Sequence, residues 1–325
     1  MSAVIRSIAS YIPPIRITND ELAGRIDTTD EWIRSHTGIG ARHIAPDGMQ
    51  TSDIAASAAK SALEKARISP LEIDFIVVAT ATPDYFGFPA ASCIVQDKLG
   101  AYNAAAFDVV AGCTGFIYAL NVASSMLEFS HGRNALVIGA DSLSRIVDWN
   151  DRSTAVLFGD GAGAAVLSRI DEAGRGCLSF ILGADGSGAK DLFLVQPVRD
   201  KAFEHSAPQV PVISMNGKRV YDFAVKSITV AIERLLHKTM YRLEDFSWIV
   251  PHQANARIVQ AAAKRFSIPS DKIYMNIEEF ANTSAASIPI ALAEMNEKGL
   301  LKSNDLVLLV GFGSGLTYGA AAVRW

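Results

Sequence analysis

The sequence predicts an α/β protein built from two related halves, and three observations carry that expectation. Short apolar runs bounded by turn residues alternate with longer runs of helical periodicity, the pattern of sheets covered by helices. The same pieces then recur 172 residues later. Leu71-Glu72 ahead of Val77-Val78 matches Leu243-Glu244 ahead of Ile249-Val250, and Val137-Ile138-Gly139 matches Leu309-Val310-Gly311. A chain of 325 residues, 50% of them hydrophobic, has ample material for two such cores. A repeat of this length, present twice, is a duplication rather than a solenoid.

The elements follow in order. Thr51-Ser52-Asp53 opens a helix with Ile54, Ala58, Ala62 and Ala66 on one face, and Ser69-Pro70 stops it. Phe75 to Ala79 reads as a buried strand and Pro89 to Leu99 as a helix closed by Gly100. Ala104 to Val110 is a strand, Gly115 to Phe129 a helix and Asn134 to Gly139 a strand. Ala155 to Phe158 and Ala164 to Leu167 read as two strands about the turn Gly159-Asp160-Gly161-Ala162-Gly163. The polar stretch Asp171 to Gly176 marks the boundary, dividing the chain into 1–172 and 173–325. In the second half Ala224 to Leu236 is helical and Trp248 to Val250 is a strand. The run Ile288 to Ala293 continues into a helix that ends near Gly299. Gly183 to Met215 has little periodicity and is expected to be a surface excursion. Alternating strands and helices imply two mostly parallel sheets.

Composition excludes several classes. A net charge of −4 gives no general nucleic-acid binder. Cys93, Cys113 and Cys177 form neither a metal-binding spacing nor a disulfide framework, which fits a reducing cytoplasm and no metal. The opening Met1-Ser2-Ala3-Val4-Ile5 lacks the layout of a signal peptide. The most apolar window, Ala104 to Val122, is interrupted by Asp108, Gly112 and Gly115 and reads as a core strand plus a core helix, not a membrane span.

Cys113 stands where a buried strand turns into a helix. Free N–H groups and the helix dipole gather there, so a thiol is expected to lean towards thiolate. His252, in Pro251-His252-Gln253-Ala254-Asn255, follows the strand Trp248 to Val250, where α/β proteins collect functional groups. Asn282 opens Asn282-Thr283-Ser284-Ala285-Ala286-Ser287, which the repeat aligns roughly with the Cys113 turn. His131, His205 and His237 read as surface residues. Neither Gly159 to Gly163 nor Gly311-Phe312-Gly313-Ser314-Gly315 is a nucleotide loop. The first lacks the following Lys-Ser/Thr, and the second lies too near the end to open a βαβ unit. Close backbone approach is the better reading of both, and the second could set an N–H against a reacting carbonyl oxygen.

Taken with Asp-Glu-Trp-Ile at 30–33, Thr-Gly-Ile at 37–39 and Gly-Asp-Gly-Ala-Gly-Ala-Ala at 159–165, these blocks resemble the β-ketoacyl-acyl-carrier-protein synthase III family along the whole chain. The resemblance implies a thiolase-like αβαβα five-layer sandwich of two duplicated halves, usually a homodimer. It implies a decarboxylating condensation of an acyl-CoA primer with malonyl-acyl carrier protein, the first step of fatty acid synthesis. Cys113 would carry the acyl group, His252 and Asn282 would stabilise the enolate, and the backbone N–H groups of Cys113 and Ser314 would form the oxyanion site. No cofactor is implied, since coenzyme A enters as a substrate thioester. Trp32, Arg152, Gly217 and Asn255 match positions that bind coenzyme A and its pantetheine arm. His36 and Gly40 stand where relatives carry more charge. Acidic carrier protein would meet Gln253, Ala254, Asn255, Ala256, Arg257, Lys264 and Arg265, with Lys218 and Arg219 nearby. Phe88 matches a position by the acyl pocket and hints at a short primer. Related acyltransferases and alkylquinolone- or polyketide-type condensing enzymes share the pattern. A papain-like hydrolase is disfavoured by the sequence around Cys113, and a non-catalytic scaffold by the intact reactive positions.

Overall fold

The strands β4 (Phe75–Ala79), β6 (Asn134–Ser142) and β12 (Leu306–Gly313) are nearly continuous apolar runs because helices cover both of their faces. The computed structural model describes residues 2–130, 132–195 and 211–325. His131 and His205 lie outside the described residues, while His237 is exposed as expected.

Two sheets organise the fold. The first has the order β1 (Ser2–Tyr11), β7 (Asp160–Ile170), β6, β4 and β5 (Ala105–Val109). The second has β11 (Trp248–Pro251), β12, β13 (Thr317–Arg324) and β8 (Gly176–Ala184). Two two-stranded antiparallel sheets, β2–β3 (Ile15–Thr18, Ala41–Ile44) and β9–β10 (Leu192–Val195, Val212–Met215), stand apart. The helices in the first half are α1 (Asn19–Ala23), α2 (Asp30–Thr37), α3 (Thr51–Ala66), α4 (Ala91–Leu99), α5 (Gly115–Phe129) and α6 (Arg152–Ala155). The second half adds α7 (Gly217–Thr239), α8 (Ala256–Phe266), α9 (Ile277–Phe280) and α10 (Ser287–Glu297).

Three hydrophobic clusters show the layering. The central one joins α5 and α10 to the inner faces of both sheets, through Phe116, Leu120, Ile288, Leu292, Val137 and Leu309. A second packs α3 on the outer face of the first sheet, and a third packs α7 and α8 on the outer face of the second. Helices, sheet, helices, sheet, helices make the five-layer thiolase-like sandwich.

Two expectations need correction. The sheets are mixed rather than mostly parallel: β4 runs parallel to β5 and β6, and β11 to β12, while β6–β7, β7–β1, β12–β13 and β13–β8 are antiparallel. Gly159 to Gly163 is also not a turn between strands. Residues 152–155 are helical, and the glycines run into the single strand β7. A Cβ on Gly163 would lie 2.6 Å from the Pro289 Cβ, and one on Gly161 would lie 2.8 Å from the Ile290 Cδ1. These glycines let α10 press against the sheet, which is the close approach expected of them.

Candidate active site

Gly112–Thr114 form a 3₁₀ turn between β5 and α5 and put Cys113 at the helix entrance. Gly112 takes φ +53°, a left-handed conformation that glycine adopts without strain. A Cβ on Gly313 would sit 2.5 Å from the Cys113 N, and one on Gly112 would sit 2.9 Å from the Ser314 N. The end of β12 therefore runs directly against the Cys113 turn, and only glycines allow it.

Cys113, His252 and Asn282, 139 residues or more from the first to the others in sequence, line one cavity of about 210 Å³ with Ser284, Gly313 and Ser314. Its outer walls are apolar: Leu157, Leu192, Ile213, Met215 and Val220. The stretch Gly183 to Met215, expected to be a surface excursion, thus supplies the paired strands β9 and β10 as a wall of the cavity. Its residues 196–210 lie outside the described ones.

Cys113 departs from expectation. Burial pushes its thiol up to about 12; a hydrogen bond with the Ser284 side chain opposes the rise and the nearby Asp141 carboxylate adds to it. The helix entrance alone does not leave the sulfur ionised at rest, because desolvation outweighs it. Asp141 is fully buried at the end of β6. Its Oδ1 accepts from the Thr80 and Thr82 hydroxyls and from the Ala81 and Thr82 N–H groups, and its Oδ2 accepts from the Ala285 N–H. The Ser284 side chain bonds to it as well.

His252 is 1% exposed at the end of β11, and burial takes its pKa down to about 3, so the ring is neutral. Nδ1 lies 2.7 Å from the Ser287 Oγ, while Nε2 is buried with no hydrogen-bond partner among the described residues. Phe312 packs edge-on at 5.5 Å. Asn282 is fixed by its backbone: its N–H donates to the Leu157 carbonyl, and its carbonyl accepts from the Gly159 N–H. The Ser284 N–H donates to its Oδ1 at 2.9 Å, which leaves the amide N–H pair for the cavity.

Trp32, Arg152 and His36 are not in the lining of the cavity but pack on one another: the Arg152 guanidinium lies 4.8 Å above the Trp32 ring, and His36 stacks on Trp32 at 4.4 Å. Gly217 and Asn255 line the cavity. The Asn255 side chain donates to the His36 carbonyl and Arg257 to the Ser35 carbonyl, tying α8 to α2. The Gly40 site is filled by Arg34, whose guanidinium would lie 2.6 Å from an added Cβ. Other expected contacts are not brought there. Gln253 is 1% exposed, donates to the Pro251 and Tyr274 carbonyls and accepts from the Asn276 N–H, so it cannot meet a partner at the surface. Phe88 is 90% exposed and does not line the cavity of its own chain. Lys264 and Arg265 are exposed on the last turn of α8 and do not line the cavity, whereas Ala254 does. Among the described residues no group of His, Cys, Asp and Glu could hold a metal, and no helix is long and apolar enough to cross a membrane.

Sequence reasoning missed Asp141, Ser284 and Ser287 as individual site residues. Asp141 carried a signal, a lone carboxylate at the carboxyl end of an apolar strand. The two serines lay inside a motif read as a block.

A thiolase-like sandwich with a cysteine, a neutral histidine and an asparagine amide on one cavity defines a condensing acyltransferase. Residues 107–186 match the sequence family described as 3-oxoacyl-[acyl-carrier-protein (ACP)] synthase III, and residues 236–325 match its C-terminal counterpart. The chain is 48% identical over 325 residues to beta-ketoacyl-[acyl-carrier-protein] synthase III 1 of Bacillus anthracis, covering 100% of this chain and 99% of that one. It is 46% identical over 327 residues to beta-ketoacyl-[acyl-carrier-protein] synthase III of Caldanaerobacter subterraneus, covering 100% and 98%. The crystal structure of 3-oxoacyl-[acyl-carrier-protein] synthase III from Aquifex aeolicus superposes with a TM-score of 0.91 at 41% identity, covering 99% of this chain and 100% of that one. The chain belongs to the 3-oxoacyl-[acyl-carrier-protein] synthase III family.

Proposed function

We propose that this enzyme condenses an acyl-CoA primer with malonyl-acyl carrier protein through a Cys113 thioester, releasing CO₂ and a 3-oxoacyl-acyl carrier protein that starts fatty acid synthesis. The observation that carries the residue roles is the single cavity shared by Cys113, His252 and Asn282. In the first half-reaction the Cys113 sulfur attacks the thioester carbonyl, coenzyme A leaves, and the proton that was on sulfur ends on the coenzyme A thiol. The backbone N–H groups of Cys113 and Ser314 hold the oxyanion. In the second, the malonyl carboxylate leaves as CO₂ and its electron pair passes to an enolate. The enolate oxygen takes hydrogen bonds from the His252 Nε2–H and the Asn282 amide. The carbanion carbon then attacks the Cys113 thioester, and the sulfur leaves and takes up a proton. Neutral donors suit this step, because a carboxylate at either place would repel the growing charge.

Trp32 and Arg152 would hold the adenine of coenzyme A, and Gly217 and Asn255 would line its pantetheine arm. Arg257, exposed on the first turn of α8 and bonded to the Ser35 carbonyl, with Ala256, Lys264 and Arg265 offers α8 to an acidic carrier protein. The enzyme needs no cofactor. It works in the cytoplasm as a homodimer: β5 has a free edge, and Val110 at its end and Phe88 are exposed at 81% and 90%. Phe88 would reach the acyl pocket across that interface.

The test uses radiolabelled acetyl-CoA and a separate assay of malonyl-carrier-protein decarboxylation. Cys113→Ser should take no label. His252→Ala and Asn282→Ala should acylate within about tenfold of wild type yet lose decarboxylation by at least about a hundredfold, the scale of a lost oxyanion donor. Equal loss of both half-reactions in those variants would contradict the division of roles. Arg257→Glu should raise the apparent KM for malonyl carrier protein about tenfold and leave acylation by acetyl-CoA unchanged; an unchanged KM would remove the docking surface.

A further inference from the structure

We propose that Ser287 is the positioning residue that holds His252 in the tautomer carrying its proton on Nε2. The inference builds on the reading of His252 as an enolate donor for its catalytic consequence, though not for the tautomer itself. A neutral imidazole has one N–H, and whichever ring nitrogen lacks it must accept. Nδ1 faces only the Ser287 Oγ, at 2.7 Å. That oxygen already accepts the Gln253 backbone N–H at 3.3 Å. If Nδ1 also carried a proton, the Ser287 oxygen would receive two N–H donors and its own hydrogen would need another acceptor; among the described residues it has no other partner. Turning the hydroxyl hydrogen onto Nδ1 satisfies all three groups.

Nε2 then carries the proton. It is buried, unpartnered among the described residues, and part of a side chain that lines the cavity. Leaving a buried donor unmade is costly in the free enzyme. That cost is recovered when an oxygen arrives, so the group binds an oxyanion better than the empty site. Ser287 and His252 are 2% and 1% exposed, so water does not offer the ring a competing partner on the Nδ1 side. The place of Ser287 is specific. It is the first residue of α10, and the residue 172 positions earlier is Gly115, the first residue of α5, which has no side chain to offer.

The full-length protein labelled with ¹⁵N-histidine tests this directly, with His252→Asn used to assign the signal. Wild type should show a protonated Nε2 and an unprotonated, hydrogen-bonded Nδ1 throughout pH 5–8. A protonated Nδ1 in wild type overturns the proposal without any variant. Ser287→Ala should lose the fixed Nε2–H signature. It should also lower kcat for decarboxylation about tenfold, the scale of one hydrogen bond, with KM for malonyl carrier protein within about twofold and Cys113 acylation within about threefold. Ser287→Thr, which keeps the hydroxyl, should restore the tautomer and most of the rate. A Ser287→Ala protein with the wild-type tautomer and rate overturns the proposal. If the tautomer is as stated but His252→Ala decarboxylates normally, the catalytic reading of His252 falls while the role of Ser287 in setting the tautomer stands.

Discussion

The two halves meet at turns that are copies of each other. Gly112–Thr114 leads into α5 from Gly115, and Ser284–Ala286 leads into α10 from Ser287, each a 3₁₀ turn opening a helix 172 residues apart. Even the unusual backbone is kept: Gly112 has φ +53° and Ser284 has φ +50°. The side chains are not kept. Cys113 corresponds to Ala285, and Gly112 and Gly115 correspond to serines. One turn presents Cys113 on a bare backbone pressed against the end of β12. The other presents hydroxyls, one to Cys113 and Asp141 and one to His252. Duplication supplied one geometry twice, and the chemistry lies in which copy kept glycine. The outer edges diverge as well. The first half has a whole edge strand in β5, whereas the second has a single parallel bridge, Ile249 to Ile273.

The strongest way to break the comparison is to give the first turn the residue of the second. In Gly112→Ser the new Cβ would collide with the Ser314 Oγ and fall 2.9 Å from the Ser314 N. The hydroxyl could rotate away, but the backbone nitrogen could not. The N–H groups of Cys113 and Ser314 must then separate, so acylation by acetyl-CoA should fall at least about a hundredfold, ~3 kcal/mol of transition-state stabilisation. Rapid-quench labelling measures it. Wild-type acylation in this variant would mean that the close approach of the two backbones plays no part in the oxyanion site.

Cys113 and His252 also differ in the sign of their pH response. Cys113 is held as a neutral thiol, pushed up to about 12, so the stability it contributes is complete below the ordinary thiol value near 9 and is lost as pH rises from there. Cys177, raised to about 11 by burial, acts in the same direction. His252 is held neutral by a fall to about 3 from 6.5. Its unfolded form binds a proton first, so its contribution is complete above 6.5 and is lost as pH falls towards 3. Denaturant melts of His252→Gln should therefore lose less stability than wild type between pH 6.5 and 4, by a few kcal/mol on the order expected for a shift of this size. Identical acid slopes would show that the ring is not held neutral by the fold.

Much of this was legible in the residues. Cysteine, histidine and asparagine in spaced motifs marked three residues that the fold brings to one cavity, and the 172-residue echo marked the duplication. Strand direction was hidden, because strands buried on both faces read as apolar runs whichever way they point. The glycines of 159–163 were legible as a close approach yet were also read as a turn, since both uses leave the same residue in the sequence. Gln253 looked like surface beside a functional histidine; its side chain instead bonds two carbonyls and one N–H and helps seat the strand end. Phe88 could not be placed from one chain alone. Ser284, Ser287 and Asp141 act through contacts between segments 35 to 171 residues apart that no local pattern encodes.

The smallest expected effect separates the two roles of Ser284. Holding a side chain at φ +50° costs ~1–2 kcal/mol relative to glycine. Ser284→Gly and Ser284→Ala both remove the hydroxyl that bonds Cys113 and Asp141, so both should slow acylation about equally, by roughly tenfold for one lost hydrogen bond. They should differ in stability, because only glycine relieves the left-handed backbone. The glycine variant should melt about 1.5–3 °C above the alanine variant, the shift that ~1–2 kcal/mol makes in a chain of this size. Equal melting temperatures would mean that the turn relaxes when the hydroxyl is gone, and that the bond to Asp141, rather than the inherited fold of the turn, keeps Ser284 in the conformation of Gly112.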